Sequence, residues 1–89
     1  MSRIVISQHI LKKKLAIINS DGWNITQLKI KQTINNPHWT GLSPYGQPTA
    51  MSIIKENYIL RVVFNKKGDI IFVITVHIAK RGRYESTKD

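Results

Sequence analysis

The last third of the chain gathers side chains able to hold phosphates and move protons: Arg61, His77, Lys80, Arg81, Arg83 and Tyr84. Arginine and lysine can neutralise a crowded phosphate, and histidine, tyrosine or lysine can transfer a proton. RNA carries its own nucleophile, the 2′-hydroxyl. Its cleavage therefore needs only alignment, an acid, a base and charge neutralisation, each positioned acid–base group contributing about 10²–10⁴-fold. His77, Arg81, Arg83 and Tyr84 form the candidate catalytic set. Arg61 and Lys80, together with His9 and Lys12, Lys13 and Lys14 near the other end of the chain, are candidate nucleic-acid contacts. Each has a plainer reading. Arg61 and His77 suit an ordinary strand surface, Lys12 to Lys14 a wet helix face, and the cations from Lys80 onward a solvated tail or charges guarding a sheet edge.

Other chemistries lack their residues. The chain contains no cysteine, so it has neither disulfides nor thiolates. No glycine-rich phosphate loop, GxSxG elbow, HExxH pair or Cys/His metal spacing occurs. Asp21, Glu56, Asp69, Glu85 and Asp89 are scattered, which argues against a two-metal nuclease or a glycosidase carboxylate pair. His9, His38 and His77 are far apart in sequence. The expectation is a protein without metal or cofactor.

Charge narrows the partners. Fourteen Lys and Arg against five Asp and Glu give +9 on 89 residues. Such a surface attracts polyanions through counterion release. It suits RNA, DNA, a ribosome or an acidic protein. A membrane surface fits less well, because the lysines do not line one face of a long amphipathic helix. No apolar window reaches the length of a membrane span, and the run 70–79 is short and β-branched. The first residues lack the order of a signal peptide, since their lysines follow the apolar stretch. The expected location is the cytoplasm. Hydrophobic content of 42% supports one modest core, and hence a single domain over 1–89 with a basic tail from 80 to 89.

These residues need elements to position them. "SRIVIS" reads as a short strand, and Ser7 can cap a helix over 8–19 in which Leu11, Leu15 and Ile18 recur at helical spacing. "NSDG" stops it. A second helix runs from Ile25 or Thr26 to about Asn35, with Thr26 as N-cap, Ile25 and Ile30 as a hydrophobic staple, and Leu28, Ile30 and Ile34 on its buried side. Asn36 before Pro37 ends it. Residues 38–49 form an ordered loop or a loop around a very short strand, with Trp39 and Tyr45 as lids or base-stacking rings. "AMSIIKE", "YILRVVF" and "DIIFVITVHIA" follow as a meander, turning at Glu56-Asn57 and at "NKKG". Matching apolar faces pairs Phe64 with Ile70 and Leu60 with Ile74. That register sets Arg61 opposite Val73, with Thr75 and His77 further along. The fold class is α+β, with two helices on one face of a small antiparallel sheet in the order β-α-α-β-β-β.

"ISQHILKKK", "NITQLKIKQTINNP" and "YILRVVFNKKGDIIFVITVHIAKRGRY" together resemble a domain-of-unknown-function family of small bacterial and archaeal proteins. The shared features are His9 at the first helix, Asn36-Pro37 ending the second, and the hairpin of residues 61–64 and 68–77. That family is in turn similar to the RelE/ParE-like toxins of toxin–antitoxin pairs, including the BrnT type. The resemblance implies a toxin-like fold and an endoribonuclease or translation inhibitor held silent by a cognate antitoxin. It also implies basic sheet residues and a basic or aromatic C-terminal group, which Arg61, Arg81, Arg83 and Tyr84 could match. ParE-like relatives act on gyrase, so the target stays open. So does the alternative of a non-catalytic basic module that binds nucleic acid or an acidic protein.

Overall fold

The computed structural model describes residues 3–80. In chain order its elements are β1 (Arg3–Ile6), a π-helical turn (Ile10–Lys14) continuing into α1 (Leu15–Ser20), α2 (Gln27–Asn35), β2 (Trp39–Leu42), β3 (Pro48–Lys55), β4 (Tyr58–Lys67) and β5 (Ile70–Lys80). The strands form one five-stranded sheet in the order β1-β5-β4-β3-β2. The fold is a small α+β arrangement of a mixed sheet and two helices. It is not all antiparallel, because β1 pairs parallel with β5. The helices between β1 and the meander carry the chain back across the sheet, as a parallel pair requires. The strand added beyond the expected order is β2, within the irregular 38–49 stretch.

Several local signals act as the sequence suggests. Ser7 Oγ accepts a hydrogen bond from Ile10 N (3.3 Å), and Thr26 Oγ1 accepts one from Lys29 N (3.1 Å), each satisfying an otherwise orphaned helix donor. Ile25 and Ile30 are buried in the same cluster, as a staple across that cap demands. Gly22, at a positive φ of 88°, follows α1, and α2 stops at Asn35 before Asn36-Pro37.

The π turn has a packing consequence. At the α-helical 100° per residue, Ile10 and Leu15 would lie about 140° apart. Widening the turn, with Leu15 N bonded to Ile10 O, brings both into the core beside Ile18. Leu11 is only partly buried and Ile17 is exposed.

The core lies between the helices and one face of the sheet. Ile10, Leu15, Ile18, Ile25 and Ile30 meet Leu60, Val62, Val73 and Val76 there. Leu28 does not join them and is 64% exposed. Two residues before Ile30, it lies on the far side of α2, and Thr33 takes the buried place instead. Thr33 Oγ1 donates to Lys29 O (2.8 Å), so Ser52 on β3 must supply the proton for the 2.7 Å bond between the two hydroxyls. A buried polar link thereby ties α2 to the sheet.

The β4–β5 register differs from the apolar match. Lys67 pairs with Ile70, so the chain turns in two residues at Gly68-Asp69, and Gly68 (φ 58°) supplies the positive φ required at the first place of a type II′ turn. β4 is longer than expected, running to Lys67, with Leu60 opposite Ile78 and Phe64 opposite Val73. Arg61 sits opposite His77, not Val73. A bulge lies between the pairs Val63–Thr75 and Phe64–Val73, leaving Ile74 as the extra residue. It reverses the alternation along β5. Val73 joins Val76 in the core, while Phe72 and Ile74 come to the opposite, exposed side.

No helix among the described residues is long and apolar enough to cross a membrane.

Candidate nucleic-acid interface on the helix-free sheet face

Strand alternation sends Leu60 and Val62 towards the helices, and therefore sends Arg61 and Val63 to the other face. Residues opposite one another share a face with their Cβ atoms about 4.5–5.5 Å apart. A cross-strand row on the helix-free face thus reads Trp39, Met51, Arg61 and His77 across β2, β3, β4 and β5. The neighbouring row towards the hairpin reads Gly41, Thr49, Val63 and Thr75. On the other side Ile53, Ile59 and Ala79 pack with Met51 and Trp39 as a small second cluster. Arg61 is only 7% exposed, His77 is half-buried, and both engage in polar or ring contacts. The sheet holds these two side chains in a fixed relation that a loop would not provide.

Arg61 borders a groove of about 370 Å³, together with Ser43, Tyr45, Gln47, Ile74 and Thr75. One wall is the turn between β2 and β3. Ser43 organises that turn: its Oγ accepts from Tyr45 N (3.2 Å) and Gln47 N (3.1 Å), and its backbone N donates to Gln47 O (2.8 Å). With the turn fixed, Tyr45 stands at the rim, 88% exposed. The bulge supplies the facing wall by presenting Ile74 beside Thr75. The groove therefore combines a guanidinium, hydroxyl and amide groups and an exposed ring. Such a set can hold a phosphate-bearing ligand with an aromatic part.

The expected site residues do not all converge. Arg61 and His77 come together. Lys80 pairs with Tyr58, and that pair lies on the helix side, where Tyr58 meets Trp23 edge to face (centroids 5.0 Å apart). His9, Lys12, Lys13 and Lys14 belong to the helical layer, so the sheet separates them from Arg61 and His77. The lysine run follows the first helix, and that helix packs against the face Arg61 turns away from. Arg81, Arg83 and Tyr84 lie outside the described residues. Ser43, Gln47 and Thr75 were not among the sequence candidates. The turn-rich stretch "SPYGQ" marks an ordered loop but gives no hint of which strand it overhangs.

A second groove, of about 350 Å³, lies beside the start of α2 and is bordered by Trp23, Asn24, Lys29 and Gln32. Its indole already holds Lys55, whose Nζ stands 5.0 Å from the ring centroid, and Tyr58 at its edge. These contacts pin the loop before α2 to the β3–β4 turn. Among the described residues no group of three or more His, Cys, Asp or Glu is placed to hold a metal ion.

Compared with known proteins, the chain matches no family model, no curated protein and no solved structure.

Proposed function

We propose that this protein is a toxin-like, metal-independent endoribonuclease or translation inhibitor that engages RNA on its helix-free sheet face. The observation that carries this reading is the pairing of Arg61 with His77 across β4 and β5 at the edge of a groove. A guanidinium there can orient and neutralise a phosphate, and an adjacent imidazole can move the proton of a 2′-hydroxyl. The net charge of +9 brings the polyanion in. The sequence resemblance to RelE/ParE- and BrnT-like toxins supports the same reading by analogy and adds an acidic antitoxin as partner. Incubating the purified protein with RNA in excess chelator tests it. Fragments ending in a 2′,3′-cyclic phosphate are expected. RNA left intact, together with undiminished protein synthesis in a cell-free translation mixture, would refute both forms of the proposal.

A non-catalytic basic module is the second reading, favoured by one specific arrangement. Lys12, Lys13 and Lys14 and the Arg61–His77 pair lie in opposite layers, so positive charge is spread around the molecule. Polyanion binding without cleavage, with a log–log salt slope growing by about 0.7–0.9 per phosphate contacted, is its signature.

A further inference from the structure

We infer that the groove on the helix-free face is built for unpaired nucleotides, so that the substrate is single-stranded RNA. The inference rests on the RNA reading above and adds to it the kind of RNA and the residues that select it. Three observations combine. Tyr45 stands at the groove rim, almost fully exposed, on a turn whose backbone is fixed through Ser43. Exposed aromatic rings on rigid supports are stacking platforms for bases that a duplex would keep in its own stack. The bulge in β5 then turns Phe72 and Ile74 out onto the same face, 40% and 39% exposed. Without it, strict alternation from Val76 would bury both against the helices. Lastly, the groove carries groups that can read a base edge. Ser43 Oγ donates to Gln47 Oε1 (3.3 Å), while Gln47 Nε2 has no hydrogen-bond partner among the described residues and remains a donor for a base carbonyl or ring nitrogen.

Charge favours a polyanion, and the exposed ring at the rim favours a nucleic acid among polyanions. Arg61 is the cation bordering this groove, on a molecule of net charge +9; largely buried and already engaged, it favours through its charge the phosphate that links a stacked base to the next. At about 370 Å³ the groove is of the size of small-ligand sites, suited to one nucleotide and not to the width of a double helix. The flank formed by Phe72 and Ile74 extends the contact along β5 towards the β4–β5 hairpin, where Lys67 is exposed and shares the strand parity of Arg61.

The test compares a 2′-O-methylated, fluorescein-labelled oligoadenylate, which cannot be cleaved through its 2′-oxygen, with the same strand annealed to oligouridylate. The single strand is expected to bind at least about tenfold more tightly than the duplex. Tyr45→Ala should weaken single-strand binding by about tenfold, within the range of aromatic–base stacking, and Tyr45→Phe should keep it. Equal binding of both forms, indifferent to Tyr45→Ala, would overturn this inference while leaving the RNA reading in place. Binding to neither form would overturn both. Capture of polyglutamate but not RNA, lost in Tyr45→Ala, would assign the groove to an acidic protein and overturn the inference in another way.

Discussion

Replacing His77 with alanine is expected to slow RNA cleavage in chelator by about 10²–10⁴-fold, the usual contribution of one positioned acid–base group. His77 is half-buried and pairs with Arg61 in the interior of a long antiparallel ladder. The loss should therefore come without unfolding, and the far-ultraviolet circular dichroism of the variant should match wild type. Arg61→Lys makes a useful companion. It keeps the charge but loses the planar fork that grips two phosphate oxygens, so it should also impair cleavage. His9→Ala, in the other layer, should leave the rate unchanged. A full rate in His77→Ala would remove this residue from the reaction.

The second large effect concerns stability. Leu60→Ala should cost about 2–5 kcal/mol, the range for truncating a buried leucine. Leu60 is 0% exposed and faces both helices from the central strand of the sheet. Since a domain of this kind has only about 5–15 kcal/mol in total, the variant should be marginal or unfolded at physiological temperature. Leu28→Ala is the control, because the same chemical change at an exposed site should stay within about 0.5 kcal/mol. Urea unfolding of both variants measures the contrast. Equal losses would mean that α2 presents a different side to the sheet.

That contrast also shows where sequence reasoning succeeds. Caps and breakers are local, so Ser7, Thr26, Gly22 and Asn36-Pro37 could be read directly, and each acts where its chemistry suggests. Faces are less certain. Leu28 looked buried because it is apolar and close to Ile30, although a separation of two residues opposes them on a helix. The π turn altered the phase of the first helix, which a fixed 3.6-residue period cannot anticipate.

Register was the hardest matter. Apolar matching fixes which residues share a face, but a shift by an even number of residues preserves every face. Face matching therefore puts Arg61 and His77 on one side, while their direct pairing depends on the tight turn at Gly68-Asp69 together with the extra residue at the bulge. The bulge at Ile74 has no marker in the sequence, and it brought out Phe72 and Ile74. Candidate residues chosen by type alone, such as Lys80 and Lys12 to Lys14, fell on the other side of the sheet because type says nothing about layer.

The central claim is that RNA meets the face turned away from the helices. Titrating isotopically labelled protein with a short, non-cleavable oligoribonucleotide and following backbone amide shifts tests it most directly. The expected result is a contiguous set of perturbed amides at Arg61, Thr75, His77 and the turn carrying Ser43, Tyr45 and Gln47, with little change at Lys12, Lys13 and Lys14. Shifts centred on His9 and those lysines, with Arg61 and His77 undisturbed, would contradict it.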